Sequence, residues 1–252
     1  MRGIALLLVA ALAAGCAHAR LEPPPWTHEA GRHTARLEMA EQLLDMHNPE
    51  QALVVLAKAR EEEGGSLALD VVQARAWLAL GLTGEASAAL EPWAERDPEN
   101  LAFWQVLGLV RFGQKRVEEA ESAFRRALAL DPRDFDANNN LGFLLLSVGR
   151  SEEALPALRA AVAARPTEAR ARNNLGFALA ALGREDEALD VFRATGPEAH
   201  ALAQVGLAAE RRGEPEKALA WYQRALSADP SQPLAVEALS RLDPPQDGGT
   251  PP

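Results

Sequence analysis

Cys16 is the only cysteine in the 252-residue chain. A lone thiol cannot close an internal disulfide, form a CxxC redox pair or build a Cys-rich zinc site. It can accept an acyl or thioether-linked lipid, and its neighbours decide whether it does. Met1-Arg2 supplies a positive charge, and Gly3 to Ala14 is an apolar run containing Leu6-Leu7-Leu8-Val9. Leu12-Ala13-Ala14-Gly15 closes that run with mostly small residues just before the thiol. The run is too short for a spanning helix and has the three parts of a secretory signal. Other candidate groups are weaker. His18, His28 and His33, and the pair Asp45-x-His47, have no recurring carboxylate near them on a predicted rigid element, so no metal is assigned. Glu61-Glu62-Glu63, ahead of Gly64-Gly65, reads as a solvated helix end. Consecutive carboxylates on a helix point apart and do not converge on a calcium ion. The chain contains no HExxH, GxSxG, Walker loop or GxGxxG, so no enzymatic activity is expected.

The run ending at Cys16 resembles a bacterial lipobox. Ala13 stands where that family most often has leucine, and Leu12 is one position early. The resemblance implies cleavage after residue 15 and a covalent diacylglycerol and acyl chain on Cys16, with no other cofactor. Several chains anchor stably, whereas one myristoyl-like chain binds only marginally. Ala17 is not the aspartate that such lipoproteins use for inner-membrane retention. The resemblance therefore places the protein in the bacterial cell envelope, on the outer membrane and facing the periplasm. Residues 16–32 are expected to form a tether stiffened by Pro23-Pro24-Pro25, reaching on the order of 45 Å. Trp26 either docks on the fold or lies at the lipid interface.

Composition narrows the partners. Net charge is −10, from 36 acidic and 26 basic residues. That excludes a nucleic-acid binder, which needs a cationic face. Hydrophobic residues make up 48% and aromatics 5%, with alanine prominent. Such a bias favours helices packed closely through small side chains.

The elements repeat. Trp104, Leu107 and Gly108 are followed by Ala120, Phe124, Ala127 and Pro132. A shift of 34 returns Leu141, Gly142, Ala154, Leu158, Ala161 and Pro166, and a second returns Leu175, Gly176, Ala188 and Phe192. Upstream the skeleton reads Ala86, Leu90, Trp93 and Pro98, and before that Ala52, Leu56 and Ala59. A last unit holds Val205, Gly206, Ala218, Tyr222, Ala225 and Pro230. Each unit predicts two helices, A and B. Gly108, Gly142, Gly176 and Gly206 fall where A crosses B, the following prolines end a pair, and Gly113, Gly149, Gly183 and Gly213 are expected to supply a left-handed turn after helix A. Trp77, Trp93, Trp104 and Trp221 read as packing residues.

This pattern resembles the tetratricopeptide (TPR) signature. The resemblance implies an all-α, right-handed solenoid of about six helix-turn-helix repeats, at 33–66, 67–100, 101–134, 135–168, 169–198 and 199–232. A capping helix is expected over 233–242 and a Pro- and Gly-rich disordered tail over 243–252. In TPR folds, positions 2, 5, 9, 12 and 13 of helix A line a concave groove. Carried onto this chain, they give Val71, Arg75, Leu78, Gln105, Leu109, Phe112, Asn139, Phe143, Leu146, Asn173 and Phe177, with Asp136, Arg170, Ala180, His200, Leu207 and Glu210 at the remaining positions. Either the phenylalanines anchor a bound peptide, with Asn139 and Asn173 holding its backbone, or they pack against the next helix A. The carboxylate clamp of chaperone adaptors needs lysine or arginine around these asparagines. Position 5 reads Leu37, Val71, Gln105, Asn139, Asn173 and Ala203, without one.

A lipid anchor and six repeats together resemble the pilotin-type lipoproteins of type IV pili. That implies a monomeric protein-protein interaction scaffold bound to the membrane through its lipid. Its partner would be a secretin or a motility-machine subunit. Lipoproteins that regulate a peptidoglycan synthase or hydrolase, and components of tight-adherence pili or gliding machinery, share the same architecture. The anchor is directly testable. Palmitate should label the wild-type chain, and Cys16→Ala should abolish the label and remove the protein from the outer-membrane fraction. An unlabelled wild type would mean a simple secreted protein.

Overall fold

The computed structural model describes residues 25–96 and 99–242. Cys16, His18, Pro98 and the segment 243–252, with the side chains of Trp26, His28 and His33, lie outside the described residues. The described residues form thirteen α-helices and no strand, an all-α repeat fold. Six antiparallel pairs follow one another: α1 (Pro25–Asp45) with α2 (Pro49–Glu63), α3 (Leu67–Ala79) with α4 (Thr83–Leu90), and α5 (Leu101–Gly113) with α6 (Val117–Leu130). Then come α7 (Phe135–Ser147) with α8 (Ser151–Ala164), α9 (Ala169–Ala181) with α10 (Glu185–Arg193), and α11 (Glu198–Arg211) with α12 (Pro215–Ala228). Helix α13 (Pro233–Leu242) closes the stack, burying Ala235 and Ala238. No described helix is long and apolar enough to cross a membrane.

Local chemistry sets the helix ends. The side chains of Ser66, Asn100 and Asp134 accept the backbone N–H groups of Leu69, Phe103 and Ala137, so α3, α5 and α7 each start on a cap. Asp131 ends α6 in an extended conformation ahead of Pro132. Two boundaries depart from the pattern. Helix α1 begins at Pro25, so residues 25–32, expected in the tether, have a helical backbone. Proline fits the first turn of a helix because its missing donor is not needed there, and the interior Gly31 costs only about 1 kcal/mol against alanine. Helix α4 stops at Leu90 and gives way to a 3-10 turn over Glu91–Trp93 that contains Pro92.

One pairing recurs through the stack. Each helix A carries a glycine or alanine sixteen residues before a large helix B side chain: Ala40 and Leu56, Ala74 and Leu90, Gly108 and Phe124, Gly142 and Leu158, Gly176 and Phe192, Gly206 and Tyr222. All six large partners are almost completely buried. A Cβ added to Gly108 or Gly176 would lie 2.5 Å from the ring of Phe124 or Phe192, and one on Gly142 would collide with Leu158. At these three crossings the large helix B side chain therefore rests directly on the helix A backbone, in space that a side chain on helix A would fill. Helices α1, α3, α5, α7, α9 and α11 also touch one another in sequence, while each B helix packs on the A helices before and after it. The A helices thus make the inner wall of the stack and the B helices the outer one.

The turns correct one assignment. Gly113 is the last residue of α5 and has no left-handed backbone; the left-handed residue is Lys115, at φ 62°. The rule is positional. His47, Gly81, Lys115, Gly149, Gly183 and Gly213 all have positive φ, and each precedes its buried helix B alanine by five residues. Gly113 answers a different need: a Cβ there would lie 2.9 Å from Cγ2 of Thr83 on α4.

Gly142→Leu should overpack the crossing of α7 and α8 and lower stability by roughly 1–3 kcal/mol. Thermal melting followed by circular dichroism reads this. An unchanged midpoint would contradict the close-crossing account.

Candidate peptide-binding face

The inner wall carries the residues singled out by position. They do not behave alike. Val71 is only 6% exposed and belongs to a core cluster with Ala74, Leu90 and Val106, so it does not line a groove. Its neighbour Trp93 turns inward and donates its indole N–H to Asp70 at 2.8 Å. Leu78 and Leu109 are half-buried against the core. Arg75 faces Glu41 at 3.5 Å. Gln105 donates to Asp134 at 2.5 Å, joining the cap of α7. Repeat two contains no phenylalanine, and the phenylalanines of this wall begin at repeat three with Phe112.

Asn139 is also corrected. It is 4% exposed and its Oδ1 accepts from Nδ2 of Asn174 at 3.0 Å. The amide ties α7 to α9 and is not free to hold a peptide. Truncating one partner of such a bond leaves the other unsatisfied, which costs about 1–3 kcal/mol when buried. Asn173, one residue before Asn174, keeps a buried Oδ1 with no hydrogen-bond partner. Asp136 and Arg170 pair with each other across α7 and α9.

The phenylalanines do come together. Phe112 on α5 meets Phe143 on α7 edge to face, with ring centroids 5.8 Å apart. The rings pack across adjacent A helices, and Phe143 remains 44% exposed. Phe177 on α9 leans on the buried Phe192 at 5.2 Å, and the guanidinium of Arg211 lies over its ring at 5.3 Å. Phe143, Leu146 and Phe177 form the apolar part of a pocket of about 500 Å³ between α7, α9 and α11. Ala181 and Ala208 also line it, and Ser147, Arg211 and Arg212 supply polar surface.

Arg211 and Arg212 were not among the residues picked from the sequence. The signal was available for Arg211: position 13 of helix A gives Ser147, Ala181 and Arg211 in repeats four to six, and all three line the pocket. Arg212 lies one residue beyond α11, where helical register no longer indicates direction. It is held by Glu185, by Glu214 at 2.7 Å and by the carbonyl of Ala180. Its hydrogen bond, helped by Lys217, holds the Glu214 carboxyl down at about 2. Among the described residues no cluster of three or more His, Cys, Asp or Glu could hold a metal ion.

The arrangement has the chemistry of a binding surface. It offers an apolar strip, one pocket and a cation at its rim. Comparisons agree with the architecture. A tetratricopeptide-repeat family profile matches residues 66–201 and a second matches 199–242. No curated protein matches the chain. Among solved structures, PilF of Pseudomonas aeruginosa superposes with a TM-score of 0.65 at 19% identity, covering 85% of this chain and 99% of that one. YrrB, described as a TPR protein with an unusual peptide-binding site, gives 0.57 at 27% identity, covering 73% and 96%. The TPR protein TTC0263 of Thermus thermophilus gives 0.53 at 21%, covering 83% and 98%.

Proposed function

Because the chain belongs to the tetratricopeptide-repeat family, we propose that it is a scaffold that holds a segment of another protein along its inner wall, without catalysis of its own. The observation that carries this reading is the exposed ring of Phe143, continuous with Phe112, Leu146 and the pocket beside Phe177. An apolar strip of this kind on a soluble surface marks an interaction site. The likeness to YrrB, whose description names a peptide-binding site, supports a peptide as occupant.

The setting is a bacterial envelope. We place the mature chain on the outer membrane through lipid on Cys16, facing the periplasm, where it assists assembly of a pilus secretin or a motility complex. Support comes from the leader ending at the single cysteine and from a fold shared with PilF over most of both chains. A wall-enzyme regulator would carry the same leader and fold, and the recovered partner distinguishes the two.

Phe143→Ser is the clean test, because Phe143 is the exposed ring, whereas Phe177 also braces Phe192. The variant should melt close to wild type and lose about 2 kcal/mol of partner affinity, as hot-spot truncations do. Binding is read by pull-down from detergent-solubilised envelopes, followed by titration of the recovered partner. A secretin or motility protein supports the proposal, and a peptidoglycan synthase or hydrolase overturns the pilus reading. A folded variant with full affinity would move the binding site off the inner wall.

A further inference from the structure

The pocket beside Phe177 has a chemical sign. Among the described arginines on A helices, Arg36 pairs with Glu62, Arg75 with Glu41, Arg111 with Glu119 and Arg170 with Asp136, while Arg172 donates to the carbonyl of Ala194. Arg211 alone among them has neither a carboxylate nor a carbonyl partner. Its guanidinium is exposed and lies over the Phe177 ring. A guanidinium held over an aromatic face keeps N–H groups available to grip a carboxylate, which arginine can do with two parallel bonds. Arg212 next to it lends its two terminal nitrogens to Glu185, Glu214 and the Ala180 carbonyl, and its remaining Nε–H is unpartnered but buried away from the surface.

Resting on the inner-wall reading, we propose that the bound segment carries an Asp or Glu side chain close to an aromatic or branched aliphatic one. The acid pairs with Arg211, and the apolar group enters the pocket between Phe143 and Phe177. The volume, about 500 Å³, and its walls suit one large apolar side chain with its backbone. The cation stands out in a chain whose net charge is −10. The carboxylate comes from a side chain and not from a chain terminus. Ser147 at the rim spends its hydroxyl on the carbonyl of Leu144, and Asn174 donates to Asn139. A terminal carboxylate needs several converging donors, and among the described residues lining this pocket the only exposed charged donor is Arg211.

The test is selection of random phage-displayed peptides on the full chain. Selected peptides are synthesised and titrated against wild type, Arg211→Glu, Arg211→Lys and Phe143→Ser. The selected sequences should place Asp or Glu within a few residues of an aromatic or aliphatic residue. Arg211→Glu should weaken them about tenfold or more, Arg211→Lys by less, and a peptide with its acid changed to Lys should regain affinity for Arg211→Glu. Arg211 is exposed at a helix end, and a melting curve confirms that each variant folds. Peptides that lack an acid, or that ignore Arg211→Glu while failing on Phe143→Ser, overturn the acidic partner and leave the inner-wall site standing. Peptides indifferent to both substitutions, or no selected peptide at all, remove the inner-wall site and this proposal with it.

Discussion

Everything in this molecule depends on how close helix A can come to helix B. The small residue and the large residue sixteen positions apart set that distance in every repeat. Where helix A has glycine, the partner is Phe124, Leu158, Phe192 or Tyr222; where it has alanine, the partner is Leu56 or Leu90. The three aromatic partners all face glycine, the smallest residue, as dense interiors require. Close crossing brings the following helix A within reach of the last, so the A helices line up as one wall. Residues at the ninth and twelfth positions then fall side by side. Phe112, Phe143 and Phe177 share a surface for that reason, although 31 residues separate the first two and 34 the last two.

Repeat proteins divide their labour by layer. The core uses small residues, large apolar residues and caps, all of which recur. The inner wall is free to vary, and this is where the repeats differ. Repeats three to five present phenylalanines, and repeat six presents Arg211. Repeat two presents none, because its ninth and twelfth positions hold Arg75 and Leu78. Its helix B is cut short before Pro92, and Trp93 is tied to Asp70 instead. The proposed binding surface therefore lies in the C-terminal half of the stack. The N-terminal repeats lie between that half and the residues that lead back to Cys16.

The fold was legible because its period is long and its spacers are chemically distinctive. Glycine at a helix crossing has one explanation, and four of them in register leave little choice. The left-handed turn was legible only where glycine marks it. Lys115 and His47 adopt the same backbone without a signature, and Gly113 drew the assignment to the wrong place. The start of α1 was hidden because a proline triplet reads as a tether when its last member opens a helix. The site was partly legible. Position within helix A found the three phenylalanines but could not tell that Val71 would sink or that Asn139 would be claimed by Asn174. Those outcomes depend on the neighbouring repeat. Arg211 obeyed the same positional rule and stood out only once its lack of a carboxylate partner was visible.

The central claim is that the inner wall, and not the outer one, holds the partner. A photo-crosslinking amino acid placed at Phe143, and separately at the exposed Ala163 on α8, tests it in intact envelopes. The account predicts a single crosslinked partner from position 143 and none from position 163. A partner captured from position 163 and not from position 143 would contradict it.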